Sequence, residues 1–117
     1  MAGRGGPAPA EDLQRILDVD RLIHEPARLL IVALLASVGE ADFVFLQRET
    51  GLTKGNLSSH LARLEQADYV RIEKSFRGKI PQTVCSLTSE GRSAFKTYRA
   101  QMRRTMSMFF ASASPPM

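Results

Sequence analysis

Residues 51–74 read GLTKGNLSSHLARLEQADYVRIEK, and their spacing predicts a turn, an amphipathic helix and the first strand of a hairpin. Gly51 marks the turn, and the Thr53 hydroxyl is suited to accept from the free N–H groups of a helix that begins at Lys54. At 100° per residue, the leucines of this helix, which runs to Ala67, fall on one stripe that must face a core. They are Leu57, Leu61 and Leu64.

The chain before this stretch supplies further helices. Residues 10–18 have the apolar spacing of a short amphipathic helix. Pro26 is suited to the first position of the next helix, in which residues 29–36 are apolar on nearly every side, as in a central core helix. Residues 41–46 predict a short strand that leads into a helix through Glu49.

The chain after the leucine-striped helix predicts a hairpin and a long helix. Alternation marks the inward side chains of two strands on either side of a turn at residues 77–79. Those side chains are Val70, Ile72 and Phe76 on the first strand and Thr83, Cys85 and Leu87 on the second. Thr88 then caps a final helix that runs toward residue 110. The fold class expected is mainly α with a small β-hairpin, an α+β arrangement.

Two helices joined by a turn that contains glycine, with a hairpin after them, are typical of a winged helix-turn-helix, whose second helix reads the DNA major groove. Residues 51–74 resemble the corresponding stretch of small MarR-like and ArsR-like winged-helix regulators. Leu87-Thr88-Ser89-Glu90-Gly91-Arg92 is similar to the Leu-Thr-x-x-Gly-Arg element that follows their wing, and residues 24–29 are similar to the entry of their first core helix. The resemblance covers residues 20–100 and implies a transcriptional regulator.

The domain organisation expected is one winged-helix domain over residues 10–111, with flanking N- and C-terminal dimerisation helices. Within it we expect the helix-turn-helix at 43–67, the wing at 69–87 and the C-terminal dimerisation helix at 88–110. Residues 1–9 and 112–117 are rich in glycine, proline, alanine or serine, and we expect both to be disordered tails.

The surface of the second helix opposite its leucines is small and polar, which suits close approach to bases. Asn bonds adenine and Arg bonds guanine in bidentate fashion, Ser suits bases or phosphate, and a helix N-terminus suits a phosphate oxygen. An ordinary solvated face would carry more Glu and Lys. On the wing tip, two cations beside a glycine suit the phosphate backbone or the minor groove. The predicted DNA-binding residues are Thr53, Lys54, Asn56, Ser58, Ser59, His60 and Arg63 on the helix, and Arg77 and Lys79 on the wing.

Charge is distributed unevenly along the chain. Residues 1–50 hold five Lys/Arg against eight Asp/Glu, whereas residues 51–117 hold eleven against four. A basic half indicates an anionic partner, nucleic acid or a membrane surface, and charge alone does not choose between them. Double-stranded DNA is the partner expected from the helix surface. A protein–protein interaction module and an RNA or structured nucleic acid binder stay open as alternatives.

Catalysis, cofactors and metals are not expected. The chain has one cysteine and two histidines, too few for a four-ligand zinc site, and no nucleophile–base pair or glycine-rich phosphate loop is visible. Cys85 is expected to be a small buried thiol, with a redox role as the alternative. The longest apolar run has eight residues, against the roughly 18–20 needed to span a bilayer. With no secretory signal visible at the N-terminus, a cytoplasmic location is expected.

The final helix carries an apolar stripe too long for a small domain to cover by itself, which predicts homodimerisation. The predicted dimer contacts are Leu13, Ile16, Leu17, Phe95, Tyr98, Met102, Met106 and Phe109. Packing of the N-terminal helix on the final helix, with acidic residues of the first beside arginines of the second, is expected at the rim. A homodimeric repressor that occludes its binding site is the function expected, while its operator, activator versus repressor polarity and any small-molecule effector stay open.

Overall fold

The computed structural model of the protein describes residues 18–113, with side chains through Phe110. The predictions for the N-terminal tail, for the helix up to residue 17 with Leu13, Ile16 and Leu17, and for residues 114–117 lie outside the described residues. Residues 112–113, predicted to belong to a disordered C-terminal tail, are helical, so that part of the prediction was wrong. Within the described part the chain forms four helices and three strands. In order they are α1 (Pro26–Val38), β1 (Glu40–Asp42), α2 (Phe43–Thr50), α3 (Lys54–Gln66), β2 (Val70–Arg77), β3 (Ile80–Leu87) and α4 (Ser89–Ala113).

The predicted α+β fold is confirmed, and the hairpin is part of a three-stranded antiparallel sheet in the order β1-β3-β2. Cys85 of β3 lies opposite Ala41 on one side and Ile72 on the other. The short strand β1 therefore ties the start of the helix-turn-helix to the base of the wing. No described helix is long and apolar enough to cross a membrane.

Side-chain caps begin the helices. Thr53 Oγ1 accepts from the Asn56 N–H at 3.1 Å at the start of α3, and Thr88 Oγ1 accepts from the Gly91 N–H at 3.0 Å at the start of α4, as their positions in the sequence predict. The carboxylate of Asp42 caps α2 in the same way. These caps set where each helix begins and so fix the direction in which α3 leaves the turn.

The leucine stripe of α3 is buried, as its spacing predicts. Leu57 and Leu64 are fully buried and Leu61 nearly so. They pack in one cluster with residues of α1, α2 and the sheet, including Ile31, Val32, Leu35, Leu46, Val70 and Cys85. Burial of three leucines removes apolar surface worth about 1.5–3 kcal/mol each from water, which holds the opposite surface of α3 outward.

The wing is buried only at its base. Val70, Cys85 and Leu87 face the core as predicted, but Phe76, predicted to face inward, is 69% exposed. That prediction was wrong because the alternation continues along the strand while β2 and β3 extend past the body that would cover it. Burial raises the pKa of the Cys85 thiol to about 11, so the thiol is neutral near pH 7.

A second, smaller core joins the segment before α1 to α4. Val19 and Ile23 pack against Tyr98, whose hydroxyl lies 2.7 Å from His24 Nδ1. Tyr98, predicted to lie on an interface between two copies, is thus 4% exposed within a single chain. The chain's own residues before α1 cover that part of α4, while the contact between copies stays a prediction.

Gly91 is the glycine of the Leu-Thr-x-x-Gly-Arg element, and the backbone of Tyr69 lies directly against it. A Cβ at this position would lie 2.1 Å from the backbone oxygen of Tyr69, far inside van der Waals contact. The same oxygen accepts from the Thr88 N–H at 3.0 Å. The first turn of α4 is therefore packed directly against the backbone at the base of the wing, and only glycine fits there.

Candidate nucleic-acid interface

The outward surface of α3 is made of the residues that the sequence assigns to DNA. Their side chains are exposed, whereas the leucines on the other side of the helix are buried. The exposed set is Lys54, Asn56, Ser58, Ser59 and Arg63, with Gly55 and Ala62 between them. Because glycine, alanine and serine have short side chains, a ligand can lie close to the helix backbone. The longer side chains of Asn56 and Arg63 extend from the same surface and can reach that ligand.

The N-terminus of α3 adds positive potential to this surface. The first N–H groups of a helix have no acceptor within the helix, and the helix dipole favours anions there. Thr53 satisfies one of these groups, that of Asn56, and Lys54 places an ammonium group beside the rest. This end of α3 is therefore suited to a phosphate oxygen.

His60 differs from the other predicted contacts because it is half-buried and held from within the protein. Its Nδ1 lies 3.1 Å from Nη1 of Arg28, while Nε of Arg28 donates to the Leu22 carbonyl at 2.6 Å. A guanidinium only donates, so Nδ1 must accept and the ring proton is on Nε2. The contact joins α1 to α3 and leaves Nε2–H as the ring's own donor.

Glu25 lies beside this pair and caps α1. Its carboxylate accepts from the Arg28 N–H at 2.8 Å, and that bond, with smaller help from the charge of Arg28, lowers the pKa of Glu25. Neither Arg28 nor Glu25 was singled out from the sequence for this role. Arg28 and His60 are 32 residues apart, so no local pattern could bring them together.

The wing tip carries its two predicted cations in the open. Arg77 and Lys79 are exposed on either side of Gly78, whose φ of +67° is a conformation that favours glycine. Gly78 thus allows the tight turn that brings β2 back as β3. The tip points its charges away from the core, as a contact with an external anion requires.

A cleft of about 780 Å³ separates the wing from α2 and the start of α3. Three cations line it, namely Lys54, Lys74 and Arg77, against one carboxylate, that of Asp42. Its apolar walls come from α2 and the wing. The cleft therefore connects the polar surface of α3 to the wing tip through a strip of positive charge, the arrangement that a bound phosphate backbone needs.

The far part of α4 carries the remaining predicted contacts between copies. Phe95 and Met102 are half-buried against the chain's own cores, with the Arg99 guanidinium 5.7 Å from the centre of the Phe95 ring. Farther along, Met106 and Phe109 are about half exposed. The helix continues to Ala113, past the end at about residue 110 that the sequence predicts. Among the described residues, the exposed apolar surface of α4 therefore lies toward its C-terminal end.

Comparisons with known proteins agree with this geometry. A family model described as a winged helix DNA-binding domain matches residues 27–106. A protein of Methanocaldococcus jannaschii, itself uncharacterised, is 35% identical over 79 residues, which cover 67% of this chain and 85% of the relative.

Solved structures give the same fold. A transcriptional regulator homologue from Pyrococcus horikoshii OT3 superposes with a TM-score of 0.77 at 28% identity, over 85% of this chain and 97% of that one. A MarR-family transcriptional regulator from Silicibacter pomeroyi gives 0.60 at 20% identity, over 94% of this chain and 71% of that one. The chain belongs to the winged helix DNA-binding domain family, and its fold is that of MarR-like transcriptional regulators.

Proposed function

We propose that the protein binds double-stranded DNA in a sequence-specific way as a homodimer and represses transcription by occluding its binding site. The observation that carries the proposal is the outward surface of α3, whose side chains are polar or short and which continues into the cationic cleft. In this proposal Asn56, Ser59 and Arg63 contact base edges in the major groove, while Lys54 and the start of α3 bind phosphate.

The same surface argues against the two alternatives. A protein-docking face needs exposed apolar anchors, and the outward residues of α3 are polar or small instead. Duplex RNA has a deep and narrow major groove that does not admit a helix, whereas the B-DNA major groove does. Double-stranded DNA is therefore the partner that the shape and chemistry of α3 favour.

The dimer in this proposal forms through the C-terminal part of α4, with the N-terminal segment beside it. Met106 and Phe109 present apolar side chains that are 45% and 53% exposed among the described residues. Two linked copies of α3 would read half-sites about one helical turn apart, which one copy alone would bind weakly. Occlusion of a promoter by such a dimer requires no further catalytic group.

Competition measures the partner directly. A labelled duplex bound by the purified protein is challenged with random duplex DNA, single-stranded DNA and duplex RNA at one salt concentration. We expect duplex DNA to compete far better than either RNA or single strands. A duplex whose sequence is related to that of the labelled duplex should compete better than random duplex DNA. Equal competition by duplex RNA would contradict a major-groove reader. Transcription from a promoter that contains the site should fall as the protein is added, and a rise would contradict repression.

A further inference from the structure

The tip of the wing combines positive charge with exposed apolar side chains. Residues 74–81 read KSFRGKIP and hold three cations and no acidic residue. Phe76 and Ile80 are 69% and 68% exposed, the highest values among the large apolar side chains that the structure describes. Neither was expected in the open from the sequence. A charged turn explains the cations, but not a phenylalanine and an isoleucine in water.

The register of the hairpin shows how these side chains are arranged. Phe76 lies opposite Pro81, and Arg77 lies opposite Ile80. Directly opposite residues share one face of a sheet and neighbours along a strand alternate, so Phe76 and Ile80 lie on opposite faces. The ribbon tip therefore presents an apolar side chain on each face, with Arg77 and Lys79 at its end.

The fold itself buries little of these two residues, although Ile80 lines the cleft beside α2. The face that holds Ile72 and Cys85 against the core continues outward to Phe76, beyond the body of the protein. Gly78 makes the turn and the β2–β3 ladder makes the hairpin, so polar side chains would serve equally well at the tip. A partner that covers the tip would have to be anionic near Arg77 and Lys79.

The minor groove of duplex DNA meets both requirements. It is about 6 Å wide, so it admits individual side chains from the tip and not the whole ribbon, and phosphates run along its edges. Minor-groove proteins combine Arg or Lys with apolar wedges such as Phe, Ile and Pro, which partly unstack a base step and bend the duplex. The cationic cleft connects the tip to the polar surface of α3, so a duplex bound by α3 is favoured over a membrane or a protein groove.

We infer that Phe76 and Ile80 form an apolar wedge that enters the minor groove next to the site read by α3, while Arg77 and Lys79 bind the flanking phosphates. The inference rests on the proposed function and adds a second means of recognition to it. Insertion of a wedge costs least energy at a base step that unstacks easily. The wedge therefore favours pyrimidine–purine steps at that position without a hydrogen bond to any base.

The test compares two double variants on one duplex that the wild-type protein binds. Phe76→Ala with Ile80→Ala should weaken binding roughly tenfold, by loss of apolar contact, and leave the salt dependence unchanged. Arg77→Ala with Lys79→Ala should instead reduce the slope of log K against log salt by about one for each lost phosphate contact. Val38→Ala, a truncation of an exposed apolar residue at the end of α1, is the matched control and should change neither quantity.

Bending gives an independent readout. The wild-type protein should bend the duplex in a circular-permutation gel assay and raise the fluorescence of 2-aminopurine placed at the wedged step. The apolar double variant should lose both signals, while Phe76→Leu, which keeps an apolar side chain, should retain part of each. Thermal unfolding of all variants should match wild type, since the changed residues are exposed.

Three results would overturn the wedge. The first is wild-type affinity and bending in the apolar double variant. The second is a reduced salt slope in that variant, which would make the tip a phosphate contact only. The third is a smaller particle in sedimentation, which would make the tip a contact between copies of the chain. Failure of the wild-type protein to bind any duplex would instead refute the proposed function, and the wedge with it.

Discussion

Alanine variants of α3 separate base contacts from phosphate contacts. Asn56, Ser59 and Arg63 are exposed and point away from the buried leucines, so replacing each by alanine should change the free energy of unfolding by less than about 0.5 kcal/mol. A side chain that bonds a base edge contributes about 1–3 kcal/mol. That energy corresponds to a Kd roughly fivefold to 150-fold higher on the preferred duplex.

Fluorescence anisotropy measures these effects on two duplexes of equal length, the preferred site and a scrambled one. Each variant should lose affinity for the preferred site and little for the scrambled one, so the ratio between them falls. Ser93→Ala, on the exposed surface of α4, is a matched control for Ser59→Ala and should behave as wild type. Equal losses on both duplexes would show that α3 only touches phosphate and would refute the base-reading role.

Other variants test the packing that positions α3 and the wing. Gly91→Ala places a methyl group on the Tyr69 backbone oxygen and should destabilise the protein by about 1–3 kcal/mol or more in thermal unfolding, and an unchanged midpoint would contradict that contact. Met106→Glu with Phe109→Glu should convert dimers to folded monomers in sedimentation and weaken binding to a palindromic site, and a surviving dimer would exclude this part of α4. The Tyr69 hydroxyl donates to the Asp20 carboxylate, and this bond raises the pKa of Tyr69 to about 12. The contribution of the bond to folding stability is therefore complete below about pH 10 and is lost between pH 10 and 12. Tyr69→Phe should therefore flatten the fall in stability across that interval, and an identical fall would contradict the bond.

Local patterns in the sequence were enough to predict the helix-turn-helix. The leucine spacing predicted which side of α3 is buried, and Thr53 predicted where α3 begins. Both features depend on neighbours within a turn or two. The exposed side of α3, which we propose faces DNA, follows from the same periodicity. Those features are local, and the structure places them as the pattern predicts.

Features that depend on distant parts of the chain could not be predicted in this way. Alternation placed Phe76 inward, but only the position of the body shows where that face runs into solvent. Tyr98 lay on an apolar stripe, and only the packing of Val19 and Ile23 shows that the chain covers it. The contact between Arg28 and His60 likewise depends on how α1 crosses α3.

Selection from a random duplex library tests most directly whether α3 recognises a specific DNA sequence. The purified protein is incubated with the library at near-physiological salt, and bound duplexes are amplified and sequenced over several rounds. We expect enrichment of a palindrome whose half-sites are about one helical turn apart, because two linked copies of α3 would read it. The same selection with Asn56→Ala and Arg63→Ala should lose bases within each half-site. A library that stays random after selection, although the protein binds it, would contradict sequence-specific recognition by α3.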